Sequence, residues 1–203
     1  MRPSFRLAGL LASLLLALPL AANAVVEPKT QTEYPDEITV SDDEGSVVMK
    51  ATGVGLREKT FMKVDVYTIV SYVDGGATLD DEPGLALCAL KAPKRIQMDL
   101  RRSFSREKLV NSFTAGIEKN VDDTSGITTE MDTFLSYFTR DAEDGDRIIF
   151  DYCPQRGLST KVNDEVMGVI ENFDFVEAMW MVWFGEKPTN GGLKKALLAQ
   201  VTD

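Results

Sequence analysis

The order of hydrophobic periods along this chain predicts an α+β fold, in which an antiparallel sheet carries a layer of helices. Three observations support that prediction. Runs of period two, rich in β-branched and aromatic residues, occupy the first half of the chain up to Arg102. Helical periodicity follows over 105–139 and returns from Phe173 to the C-terminal end. Between those two stretches, Arg147 to Cys153 and Leu158 to Val162 alternate again around Pro154 and Gly157, as a hairpin does.

The chain has 203 residues, 44% hydrophobic and 27% charged. That fits one globular domain, over 25–203, once a leader is set aside. The leader is 1–24. Arg2 and Arg6 precede an apolar run from Leu7 to Leu20, and Ala22-Asn23-Ala24 supplies the small-residue pattern of a signal-peptidase site. The run is too short and too close to that site for an anchor, so the expectation is an exported protein, periplasmic or secreted, without stable membrane insertion. Val25 stands where a lipid-modified N-terminus would need cysteine.

In order, 25–36 is polar with two prolines and reads as an extended lead-in. Glu37 to Val40 is a first short strand and Asp42 to Gly45 a turn. Ser46 to Leu56 leads into a long hairpin that Asp74-Gly75-Gly76 terminates. Leu85 to Leu90 is a short apolar helix. Lys94 to Arg102 alternates Ile96, Met98 and Leu100 with polar neighbours, a half-buried strand whose basic residues are expected on a solvated face. Ser105 is an N-cap, with Phe104 and Leu109 as a hydrophobic staple. The helix it opens runs to about Asn120 and buries Leu109, Phe113 and Ile117, leaving Asn111 off the stripe. A second helix, Thr128 to Thr139, buries Met131, Phe134, Leu135 and Phe138. After the 147–162 hairpin, Val166 to Ile170 adds a strand. A helix from Phe173 presents Val176, Met179, Trp180 and Trp183 and stops at Gly185, and Leu193 to Val201 closes the chain as a last helix.

Composition removes several chemistries. The chain has no histidine, so Ser-His-Asp and Cys-His catalysis and imidazole metal sites are excluded, and any acid–base step falls to carboxylates, Tyr, Lys or water. No cofactor or metal site is expected. The formal net charge is −10, and Arg2 and Arg6 lie in the leader, so the mature chain is more acidic still. Nucleic acid is therefore not an expected partner. An exported location would permit a disulfide between Cys88 and Cys153, yet both sit in apolar surroundings where a free thiol is equally at home.

The stretch 52–73, TGVGLREKTFMKVDVYTIVSYV, is the centre of the design. A reversal centred on Thr60 to Met62 would set Arg57 opposite Asp65 and Tyr67 opposite Gly55, leaving Arg57 and Tyr67 as diagonal neighbours on one face, roughly 7–8 Å apart. Glycine opposite Tyr67 would leave room above it for a pocket floor. The plainer alternative is that Arg57 ends a strand and Tyr67 is a core aromatic.

Three stretches together resemble the chalcone isomerase-like family: GVGLREKTFMKVDVYTIVSYV at 53–73, FSREKLVNSF at 104–113, and IENFDFVEAMWMVWFGEKP from Ile170. The resemblance implies an open-faced β-sandwich, a large antiparallel sheet against helices with a ligand cleft between. It also implies positions. The arginine of the family's G-x-G-x-R is Arg57 and its helix asparagine is Asn111. Tyr67 takes the place of the strand threonine and Phe104 that of the helix-entry tyrosine. Val176 and Glu177, where a further hydroxyl belongs, carry none.

With those hydroxyls missing, the resemblance implies no catalytic residue for cyclising a chalcone. An arginine with a strand tyrosine is instead similar to the family's fatty-acid-binding branch. The leading expectation is non-catalytic binding of a fatty acid or similar amphiphilic carboxylate by Arg57, Tyr67, Phe104 and Asn111. The alternatives are an isomerase or lyase acting on a phenolic, chalcone-like substrate, and a protein-interaction module docking through exposed Trp180 and Trp183.

Overall fold

In the computed structural model, residues 23–42, 45–59 and 64–201 are described. Seven strands form one antiparallel sheet, and each pairs with the next in sequence. They are β3 (Glu37–Asp42), β4 (Gly45–Lys59), β5 (Val64–Asp74), β6 (Lys94–Leu100), β7 (Arg147–Cys153), β8 (Gly157–Val162) and β9 (Glu165–Ile170). Helix α1 (Pro83–Ala89) joins β5 to β6. Helices α2 (Arg106–Glu118) and α3 (Thr128–Ser136) lie between β6 and β7, while α4 (Phe173–Phe184) and α5 (Gly191–Leu197) follow β9. No helix among the described residues is long and apolar enough to cross a membrane. The fold is the α+β layer arrangement that the periods predict.

Each element follows from its local sequence. Ser105 caps α2 by accepting from the Lys108 N–H at 3.4 Å, and Asn190 caps α5 through Leu193 N–H at 2.8 Å. On β6, Lys94, Ile96, Met98 and Leu100 are buried and alternate with half-exposed residues, so this face meets the helices. Helix α4 is apolar nearly all round, with Phe175, Val176, Met179, Trp180, Val182, Trp183 and Phe184 buried. A helix of that composition belongs inside, and α4 is the centre of the helical layer, packed by α1, α2 and α5. Both tryptophans are shut away, Trp180 at 0% and Trp183 at 2% exposure, which removes the motive for a tryptophan docking face.

Four expectations are corrected. The 25–36 stretch is not a plain lead-in: β1 (Ala24–Val26) and β2 (Glu33–Pro35) pair with each other and cover the outer face of the sheet. Val25 and Tyr34 close a second apolar cluster there with Met49, Ala51, Val70 and Tyr72. The Tyr34 hydroxyl donates to Asp99 at 2.7 Å, and Arg147 donates to the same carboxylate at 2.7 Å. An aromatic inside a polar run is the only sequence trace of this.

The hairpin register is the second. Arg57 lies opposite Tyr67 and Gly55 opposite Ile69, and Glu58 pairs with Asp65, which leaves Val66 as the extra residue of a β-bulge. The reversal over Thr60 to Met62 is outside the described residues. The shift is by two positions, so the faces are preserved, and Arg57 and Tyr67 become a directly facing pair.

The glycines are the third. A Cβ on Gly53 would lie 2.2 Å from the Ala196 carbonyl oxygen, and one on Gly55 would lie 2.6 Å from Leu193 Cδ1. Thr52 Oγ1 donates to the Leu197 carbonyl at 2.8 Å. The glycines therefore admit α5 against β4, and the space expected above a pocket floor is filled.

Fourth, the basic residues of 94–102 do not all face solvent. Arg101 and Arg102 are exposed and Arg95 pairs with Asp151, but Lys94 is 0% exposed. Its ammonium donates to the Leu87 and Cys88 carbonyls at 2.8 Å each, closing the C-terminal end of α1. It also sits 4.8 Å from the Trp180 ring centre, with Tyr152 and Phe173 rings at 5.4 and 5.3 Å. Burial pulls its pKa down to about 7. Cys88 and Cys153 are both free thiols, and burial pushes Cys88 up to about 12.

Candidate functional site

The bulged β4–β5 pair, the start of α2 and the end of α4 converge on Tyr67. Tyr67 points from β5 toward α4, where the Trp183 indole N–H donates to its hydroxyl oxygen at 3.1 Å. Beside this pair is a cavity of about 70 Å³ lined chiefly by Tyr67, Leu100, Phe104, Leu109, Phe113 and Trp183. Phe104 stands at its edge, half buried. Its backbone exchanges hydrogen bonds with Ala142 at 2.8 and 2.9 Å, which fixes the entry to α2. The Arg102 guanidinium lies 5.6 Å from the centre of the Phe104 ring.

The cavity is small because aromatic rings fill the layer behind it. Phe113 stacks on Phe138 at 5.5 Å and meets Phe134 edge-on at 5.2 Å, while Phe150 lies 6.0 Å from Trp183. A larger opening of about 800 Å³ lies elsewhere, between the 24–29 segment, β4 and α5, with Lys29 and Glu58 paired beside it. There Glu27 accepts from Thr30 and Asn190 caps α5, whereas the small cavity is lined by the Tyr67 phenol and is the candidate site.

Of the residues expected at a site, the structure brings three near one another. Tyr67 and Phe104 line the cavity. Arg57 is across the strands from Tyr67, half buried, with its guanidinium bonded to the Glu58 backbone carbonyl, and it does not itself line the cavity. The Glu58 side chain is taken by Lys29, and no described carboxylate pairs with Arg57. Asn111 does not join the group: it is exposed on α2, two residues from Leu109 and from Phe113 and so on the side of the helix away from the buried stripe, and Ser112 lines the cavity instead.

Burial raises the Tyr67 pKa above the ordinary phenol value, and the Trp183 hydrogen bond and the Arg57 charge oppose that only in part. The phenol is therefore neutral across physiological pH and keeps its proton to donate. The 3.6-residue phase put Trp183 on the apolar face of its helix and left open whether that face was covered, and its bond to Tyr67 joins positions too far apart in the chain for any local pattern to reveal.

The comparisons bear on the family and the fold. The profile of the chalcone isomerase-like family matches residues 29–199. Among curated proteins none is detectably similar in sequence. Among solved structures, the chain is similar to a fatty-acid binding protein of Arabidopsis thaliana, at 19% identity and a TM-score of 0.69, over 87% of this chain and 96% of that one. The chain belongs to the chalcone isomerase-like family.

Proposed function

We propose that this protein binds a fatty acid or similar amphiphilic carboxylate between the sheet and the helices without chemically transforming it, and that it does so outside the cytoplasm after removal of 1–24. The observation that carries this is the facing pair of Arg57, a half-buried cation with no carboxylate partner among the described residues, and Tyr67, a neutral phenol beside an apolar cavity. A guanidinium stays charged in such a place and favours an anion beside it. Its fork matches a carboxylate, and Tyr67 can add one more bond. The similar plant structure is named a fatty-acid binding protein, which supports the ligand class.

Hydrogen bonds to charged groups contribute about 1.5–3 kcal/mol each, and each buried methylene about 0.8 kcal/mol. A tail of about a dozen methylenes would therefore supply on the order of 10 kcal/mol, most of the affinity, and the head group the orientation. The cavity's roughly 70 Å³ is well under the ~300 Å³ at which drug-sized sites begin. A long tail enters by displacing side chains at the half-buried edge, Phe104 first, rather than by filling space that already exists.

Catalysis is the less favoured reading. Phe104 has no hydroxyl to offer, and Val176 is fully buried in the core. The proposal is tested by mass spectrometry of small molecules extracted from protein purified out of the exported fraction. Co-purified long-chain carboxylates, with an N-terminus at Val25, are expected. Protein free of any amphiphile that also fails to take up added dodecanoate would overturn it.

A further inference from the structure

The direction of the Trp183–Tyr67 hydrogen bond has a consequence for specificity. An indole N–H can only donate, so at 3.1 Å the Tyr67 oxygen must be the acceptor. The phenolic hydrogen prefers the two orientations in the plane of the ring, and the Trp183 N–H occupies the oxygen from the α4 side. The Tyr67 hydrogen then takes the other in-plane direction, away from the Trp183 N–H. No described residue accepts it: the side chain of Arg57, the facing neighbour, has only donors, and the Ser112 hydroxyl, also at the cavity, is bonded to the Lys108 carbonyl at 2.7 Å and not to Tyr67. Tyr67 is 9% exposed, so water does not readily take the acceptor's place.

We propose that Trp183 is a positioning and specificity residue: by occupying the Tyr67 oxygen it commits the Tyr67 hydroxyl as a donor toward the cavity, so that the site admits ligand head groups that accept hydrogen bonds and rejects those that mainly donate. The inference rests on the carboxylate reading above and extends it. A carboxylate meets donors from both Arg57 and Tyr67, whereas an alkylammonium meets two donors and a like charge. Without Trp183 the Tyr67 hydroxyl is free to turn, and its oxygen can serve a donating head group equally well. Trp183 holds the orientation without touching the ligand's charge.

The chain has only two tryptophans, which makes the test direct. The Trp180 indole N–H is buried without a hydrogen-bond partner among the described residues and the Trp183 indole N–H is bonded, so the two indole signals in a proton–nitrogen spectrum should be well separated. The Trp183 signal is assigned by its shift in Tyr67→Phe. Saturating the wild-type protein with dodecanoate should move the Trp183 signal and leave that of Trp180 nearly in place, because accepting from Tyr67 polarises the whole chain of donors. In calorimetry with dodecanoate, Tyr67→Phe and Trp183→Phe should each weaken binding about fivefold to tenfold, the double variant should be no worse than either, and dodecylamine should lose less than dodecanoate in Trp183→Phe.

If Trp183→Phe binds dodecanoate as wild type does while Arg57→Gln and Tyr67→Phe weaken it, the inference falls and the carboxylate reading stands. If wild type binds dodecanoate no better than dodecanol and Arg57→Gln changes nothing, both fall. Should Trp183→Phe fail to fold, the wild-type titration decides alone: a Trp183 signal that does not move on saturation overturns the proposal.

Discussion

Lys94 makes the fold's stability depend on pH in a window where few other groups titrate. Its folded pKa of about 7 lies below the ordinary 10.5, because burial disfavours the charged form. A lysine depressed on folding binds fewer protons in the folded state than in the unfolded one between those two values, so stability must rise with pH across that interval. From about pH 6.5 to about pH 8.5 the linkage amounts to roughly 2 kcal/mol. Cys88 opposes it, because its folded pKa of about 12 exceeds the ordinary 9.0, but the unfolded thiol has barely begun to ionise at about pH 8.5, and the offset is only about 0.2 kcal/mol. Without histidine, no other side chain is expected to mask the slope. Urea unfolding followed by tryptophan fluorescence should show the midpoint rising from about pH 6.5 to about pH 8.5, and Lys94→Met should flatten that slope. A flat wild-type profile, or the same slope in Lys94→Met, would refute the argument. The ammonium would then be held by the two carbonyls and three rings well enough to keep its ordinary pKa.

Other expectations concern packing and the boundaries of the site. Gly53→Ala places a Cβ 2.2 Å from the Ala196 carbonyl at a φ of +155°, so it should lower stability by about 1–3 kcal/mol, read as a fall in Tm, and should loosen α5 in hydrogen exchange. Asn111→Ala, on the exposed side of α2, should change dodecanoate affinity by less than about twofold in calorimetry, and a tenfold loss would return Asn111 to the site. A chalcone mixed with the protein should cyclise at its spontaneous rate, followed by absorbance. Saturable turnover lost in Arg57→Ala would contradict the non-catalytic reading.

Much of the fold was readable because burial imposes a period on each element. The β6 alternation, the α2 stripe of Leu109, Phe113 and Ile117 and the cap at Ser105 all appear where the pattern places them. The same alternation contained the clue to Lys94, which is in phase with Ile96, Met98 and Leu100. Charge suggested solvent and phase indicated the core, and phase was right. What could not be read were features set by contacts between distant segments. A bulge at Val66 depends on how the whole hairpin packs, and the role of Gly53 and Gly55 depends on a helix about 140 residues later. At the site, the motif led to Arg57 and Tyr67 and the helical period put Trp183 on an apolar face, but only the assembled layers bury Trp183 and bring it to the Tyr67 hydroxyl.

The central claim is that Arg57 recognises the anionic head of an amphiphile. It is tested most directly by calorimetric titration of the protein and of Arg57→Ala with dodecanoate and with dodecanol. Losing one charged hydrogen bond should weaken dodecanoate by roughly one to two orders of magnitude and leave dodecanol nearly unchanged. Equal losses for acid and alcohol, or no loss for either, would contradict the account and leave Arg57 as a residue that only ends its strand.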